Sequence, residues 1–183
     1  MGARYVVTAD ELERMGKANI ELVRGELIPV MTPAGEQHGA LAAFLTVEIG
    51  TFVRAQQLGR VYVEVGFRLF TDPDTVRGPD VSFVSRERAA TQPRRRGFVH
   101  GIPDLAIEIA SMDKPMSVLA VKAEEYVAAG TRLVWLVDAE TRQVHVRRPG
   151  RPVRILSERD ALDGDEVLPG FTLPLARLFG ELD

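Results

Sequence analysis

The chain has 183 residues, 45% of them hydrophobic and 27% charged, which is the size of one domain with enough apolar surface to bury a core without cross-links. It contains no cysteine, so a disulfide framework, a thiolate metal site and a cysteine nucleophile are excluded. The net charge of -3 offers nucleic acid no bulk attraction, and no apolar run approaches the roughly 18 residues of a membrane span.

Residues 1–8 carry one arginine and no long apolar stretch, so no cleaved signal is expected and the expected address is the cytoplasm. Thr8-Ala9-Asp10-Glu11 has the pattern of a capping box opening a short helix. Residues 20–23 and 26–30 are short apolar strands flanking Arg24-Gly25, which predicts a hairpin. Thr32-Pro33-Ala34-Gly35 breaks it. A long helix is expected over 38–58, where Leu41, Phe44, Leu45, Val47, Ile49, Phe52 and Val53 recur at helical spacing, with Gly59 as its stop.

A strand-rich block follows. Strands are expected at 61–65 and 67–70 with Gly66 as a bulge between them, then turn chemistry at Asp72-Pro73-Asp74 and a strand over 81–84. Residues 85–101 are polar and arginine-rich and read as an irregular, mobile loop. Leu105–Ile109 and 133–137 are buried-type strands with a helix, Met116–Ala129, between them, which makes a crossover unit with parallel neighbouring strands. Residues 144–146 and 153–156 form an edge hairpin around Pro149-Gly150, and a last short helix begins near Pro174. The fold class is therefore α/β (or α+β): a mixed central sheet with helices on its faces.

Three residues break the burial pattern. Glu108 shares a strand face with Ala106 and Ala110, inside an otherwise apolar strand, and a carboxylate there needs a cation, a metal or a proton. Asp80 opens a strand after Pro79. Lys122 falls on the same helix face as Leu119, Ala123 and Tyr126, and is one of only three lysines, with Lys17 and Lys114. Two carboxylates and an ammonium that converge at a sheet edge suit a hard divalent ion and a phosphodiester. Taken singly, each residue also has an ordinary structural reading: turn residue, rim carboxylate or snorkelling lysine.

A series of short motifs then carries a resemblance. The runs are Glu21-Leu22-Val23-Arg24-Gly25-Glu26-Leu27; residues 33–38; Pro79-Asp80-Val81-Ser82-Phe83-Val84; and Pro103-Asp104-Leu105-Ala106-Ile107-Glu108-Ile109 with Ser111. Lys122 with Tyr126 and Gly130, Trp135-Leu136-Val137-Asp138 and Val167-Leu168-Pro169-Gly170-Phe171 complete the series. Their order and spacing resemble the bacterial Uma-type family, a domain of unknown function described as putative restriction endonucleases, within the PD-(D/E)XK nuclease superfamily. The resemblance spans about residues 8–179. It implies a restriction-endonuclease-like domain over 1–183, with a core at about 33–138 and the N-terminal hairpin and C-terminal edge strands added. It also implies DNA as substrate, Mg2+ (or Mn2+) as cofactor, and Asp80 and Glu108 as metal ligands. The superfamily's lysine, two residues beyond the second acid, would fall at Ala110; the family pattern moves it to the next helix, here Lys122. Glu21 and His38 join the catalytic candidates, and Arg94, Arg95, Arg96 and Tyr126 the substrate-binding ones. The run Ser111-Met112-Asp113-Lys114-Pro115, with Val118 following, departs from the family's usual loop. A two-fold homodimer is expected, since one site cuts one strand. The alternative is a nuclease-fold binding or regulatory module without turnover.

Overall fold

The computed structural model describes residues 6–16, 20–30, 35–92, 96–112 and 114–183; Pro33, Ala34, Arg94, Arg95 and Asp113 fall outside them. The first helix, α1 (Ala9–Met15), starts as the capping box requires: the Thr8 hydroxyl accepts the Glu11 N–H at 3.2 Å, and the Glu11 carboxylate accepts the Thr8 N–H at 2.8 Å. Strands β1 (Ile20–Val23) and β2 (Glu26–Pro29) pair antiparallel around Arg24 and Gly25, whose φ values of 49° and 78° give the left-handed turn that matches strand twist. Helix α2 (Glu36–Ala55) buries Leu41, Leu45, Ile49 and Val53 along one stripe.

Gly59 is not the stop of this helix. The helix ends at Ala55, and Gly59 is the first residue of β3 (Gly59–Val63). There it faces Ser85 of β6 (Val81–Ser85) so closely that a Cβ would sit on the Val84 carbonyl oxygen and 2.9 Å from Ser85 Cα. Backbone cannot yield as a flexible side chain does. Gly59→Ala should therefore lower stability by about 2–3 kcal/mol, read as a melting temperature lower by roughly 5–10 °C; an unchanged melt would show that β3 and β6 can separate cheaply.

Gly66 is not a bulge within one sheet. It lies where the chain leaves β3 for a second sheet at β4 (Phe67–Phe70), and the Phe98 ring occupies the space its Cβ would need. The Asp72-Pro73-Asp74 turn leads into β5 (Thr75–Arg77), three residues too short to show periodicity. The arginine-rich stretch is also more ordered than its composition suggests: α3 (Arg86–Thr91) forms because the Ser85 hydroxyl accepts the Arg88 N–H at 3.2 Å. Then come β7 (Leu105–Ile109), α4 (Met116–Ala129, closed by Gly130 at φ 107°), β8 (Leu133–Asp138), β9 (Gln143–Arg147) and β10 (Arg154–Ser157). The tail holds the two-stranded β11 (Ala161–Asp163) and β12 (Thr172–Pro174), α5 (Leu175–Phe179) and a 3-10 turn.

Among the described residues the main sheet has the order β10-β9-β8-β7-β6-β3, mixed, with β7 and β8 parallel as the crossover requires. The second sheet has the order β2-β1-β5-β4. Side-chain alternation splits the main sheet's faces. Leu105, Ile107 and Ile109 pack with the α2 stripe, Trp135 and Phe179, whereas Ala106 packs with Val134, Leu136 and the α4 residues Leu119, Ala123 and Tyr126. Glu108 has the parity of Ala106, so it points towards α4. The second sheet alternates too: Leu22 and Val76 pack with Ala9 and Leu12 of α1, leaving Glu21 and Arg77 on the opposite face.

Candidate active site

Glu21, Asp80, Glu108 and Lys122 meet where β1, one end of the β6–β7 pair and α4 converge, and all four are buried. Lys122 is the hinge of the cluster. Its ammonium lies 2.6 Å from Glu108 Oε1 and 2.9 Å from Glu21 Oε1. Burial works against the ammonium, but the two carboxylates outweigh it and raise its pKa, so Lys122 stays charged. Two of its three donors are committed and one is left for a further acceptor.

Glu108 is fully buried. Its Oε1 accepts from Lys122 and, at 2.8 Å, from the Tyr126 hydroxyl; its Oε2 has no hydrogen-bond partner among the described residues. Burial first, then the charges of Asp80 and Glu21, push its carboxyl up to about 7 against the pull of Lys122. Asp80 is the opposite case. Burial raises it, but a His38 hydrogen bond, Lys114 and the Ile109 N–H together hold it below the usual carboxylate range. Its Oδ2 takes the Ile109 N–H at 2.7 Å and His38 Nε2 at 3.1 Å, while Oδ1 has only the Lys114 ammonium at 3.6 Å. Two acids of similar burial thus differ in protonation because of their partners.

The remaining sequence candidates sort by contact. Both oxygens of Glu21 are used: Oε1 accepts from Lys122 and from the Gly78 N–H at 3.1 Å, and Oε2 from Arg77 at 2.7 Å. Glu21 therefore aims Lys122 rather than offering a free ligand oxygen. His38, from the first turn of α2, orients Asp80. Tyr126 is fully buried behind Glu108 and reaches no surface. Arg96 is exposed, on a segment that Phe98 and Val99 fasten to α1 and β4, and has no contact with the acids or Lys122; Arg94 and Arg95 lie outside the described residues. Sequence reasoning passed over Arg77, Glu125 and Lys114. Arg77 clamps Glu21 and, at 2.7 Å, Glu125; the only available signal was Glu125 three residues after Lys122, because β5 was too short to place Arg77. For Lys114 the signal was the scarcity of lysine.

The His38–Asp80 pair gives a pH-dependent expectation. The Asp80 hydrogen bond raises the His38 pKa against desolvation, so the stability contributed by the charged imidazole is complete below its unfolded value near 6.5 and is lost as pH rises through the raised value. His38→Gln should therefore cost about 1.5 kcal/mol in denaturant titrations at pH 6 and clearly less at pH 9. A pH-independent loss would mean that packing, not charge, sets the role of His38.

The donor set fits a hard divalent ion. Among the described residues Glu108 Oε2 is an orphaned buried carboxylate oxygen, and Asp80 Oδ1 has no hydrogen bond. Mg2+ keeps several waters and takes one or two carboxylates, a number these two acids can supply.

The family model Uma2, described as "Putative restriction endonuclease", matches residues 9–176. The chain belongs to the Uma2 family. No curated protein matches it significantly. The crystal structure of a nuclease of the DUF820 group from Anabaena variabilis ATCC 29413, itself described as putative, is similar with a TM-score of 0.81 over 97% of this chain and 99% of that one. Sequence identity is 24%, so the likeness establishes a shared fold. In this Uma2 member the strand position two residues past Glu108 is Ala110, and the ammonium at the acid comes from α4. No helix among the described residues is long and apolar enough to cross a membrane.

Proposed function

We propose that this protein is a divalent-metal-dependent endonuclease that hydrolyses DNA phosphodiester bonds in the cytoplasm, with Mg2+ or Mn2+ held by Asp80 and Glu108. The observation that carries this reading is the bare Glu108 Oε2, buried beside Asp80 and the Lys122 ammonium. When bound, the ion supplies positive charge at a phosphate oxygen and acidifies water. The chain's own residues do the rest. Glu108 gives up its proton to serve as a ligand. Lys122, charged at neutral pH, turns its third N–H to the scissile phosphate and offsets the negative charge that develops there. Glu21, fixed by Arg77, keeps that ammonium from swinging away. His38 and the Ile109 N–H fix the rotamer of Asp80.

The catalytic domain is read as one unit in which the N-terminal hairpin is integral, because Glu21 comes from it. Cutting both strands is easiest with two sites, and a homodimer supplies them; light scattering at working concentration should give twice the 20.2 kDa chain mass. The test of the activity is nicking of supercoiled plasmid with Mg2+ or Mn2+ against EDTA, beside Asp80→Asn. Nicking that needs metal and disappears in the variant supports the proposal. Intact plasmid in every condition, with no metal bound, overturns it and leaves a nuclease-fold binding module.

A further inference from the structure

At the opposite end of the β3–β6 pair lies an open groove of about 520 Å³ between the end of α2, the start of β3 and the start of α3. We infer that it is a binding site for phosphate groups, separate from the catalytic site: Arg54, Arg60 and Arg86 line it together, and no acidic residue does among the described residues. Gln57 lies among them, and Ala89 and Ala90 form an apolar wall.

The arginines are uncommitted. Among the described residues the side chains of Arg54 and Arg60 make no ion pair or hydrogen bond, and that of Arg86 meets only Gln57 Oε1 at 3.4 Å. Elsewhere Arg68, Arg77, Arg88, Arg132 and Arg148 each meet a carboxylate. Three unneutralised guanidinium groups around one concavity, in a chain of net charge -3, form a local field opposite in sign to the whole. The carbonyl end of α2 opposes an anion with about half a charge, which three full charges outweigh.

The backbone holds the three in register. The Arg86 N–H donates to the Leu58 carbonyl at 2.7 Å, and Gly59 pairs with Ser85. Planar guanidinium forks suit phosphate oxygens, and the volume falls within the roughly 300–1,000 Å³ of small-ligand sites, enough for a nucleotide whose base lies against the alanines. Val63 pairs with Val81 and Gly59 with Ser85, so the groove is four strand residues, roughly 14 Å, from the Asp80 end. A phosphate bound here is not the scissile one. Its source is either a nucleic-acid strand continuing around the sheet end or a free nucleotide; both present the same oxygens.

The test is done in EDTA, so no cleavage intervenes and its outcome is independent of the catalytic proposal. Anisotropy of a fluorescein-labelled single-stranded 12-mer is followed against salt, with deoxyadenosine monophosphate as competitor. The variants are the triple Arg54→Ala/Arg60→Ala/Arg86→Ala and the corresponding triple to lysine. We expect the alanine triple to bind at least about tenfold more weakly, with a salt slope shallower by about 2, as for three lost phosphate contacts on a single strand. The lysine triple should keep the slope. Competition by the monophosphate assigns the groove to free nucleotide, and its absence assigns it to the strand. Equal affinity and slope for the alanine triple and the unmodified protein, or no binding of either probe by the unmodified protein, overturns the inference. Thermal melts verify that substitutions at these exposed positions leave the fold intact.

Discussion

Lys122→Met should reduce plasmid nicking by about a thousandfold, the scale of losing a charge aimed at a transition state. The same change should lower stability by about 3–5 kcal/mol, because it leaves Glu108 and Glu21 buried without their shared cation. The loss is expected to depend on pH. A carboxyl whose folded pKa lies above its unfolded value binds a proton more tightly in the folded state, so its contribution to stability falls as pH rises between the two values. For Glu108 these are 4.5 and about 7 with Lys122 present, and removing the ammonium lifts the upper value further. Lys122→Met should therefore be more destabilised at pH 8 than at pH 6. Denaturant titrations at both pH values and a nicking assay above neutrality read the two effects separately. A variant that nicks at the original rate would sink the role assigned to the lysine, whatever its stability.

Metal binding itself should tighten with pH. Glu108 is about half protonated near pH 7, and a divalent ion needs the carboxylate. The protonated fraction predicts affinity about tenfold weaker at pH 6 than at pH 8, with close to one proton released per ion bound at pH 6. Asp80 adds little to this slope because His38, Lys114 and the Ile109 N–H keep it ionised throughout the range. Titration calorimetry with Mn2+ in two buffers of different ionisation enthalpy measures affinity and proton release together. Affinity that is flat from pH 6 to pH 8 would place the ion elsewhere or leave Glu108 ionised.

The parts of the fold legible in the sequence were those with a repeating apolar pattern or a named cap: α1 through Thr8 and Glu11, α2 through its leucine and valine stripe, and the β7–α4–β8 crossover through two apolar strands around an amphipathic helix. Glu108 and Lys122 stood out because each puts a charge where that pattern calls for an apolar side chain. What stayed hidden depended on tertiary approach. Nothing local indicates that Gly59 is needed by Val84 and Ser85, or that β3 and β4 part into different sheets. Helix α3 was obscured because charge density outweighed a single serine cap. Arg77 was invisible for the same reason as its strand: three residues carry no period, and its partners Glu21 and Glu125 lie 56 and 48 positions away.

The Glu21–Lys122 contact joins residues 101 positions apart. At cellular synthesis rates of about 5–20 residues per second, the hairpin bearing Glu21 emerges roughly 5–20 s before the helix bearing Lys122. During that interval Glu21 and Arg77 can pair, but there is no buried ammonium and, for most of it, no Glu108. Within the proposed function, cutting ability therefore arrives late in translation and in one step, when α4 docks. A ribosome-bound fragment that stops short of α4 carries the three acids but not the ammonium, so the order of the chain itself delays the appearance of a nuclease until its fold is in place to restrain it.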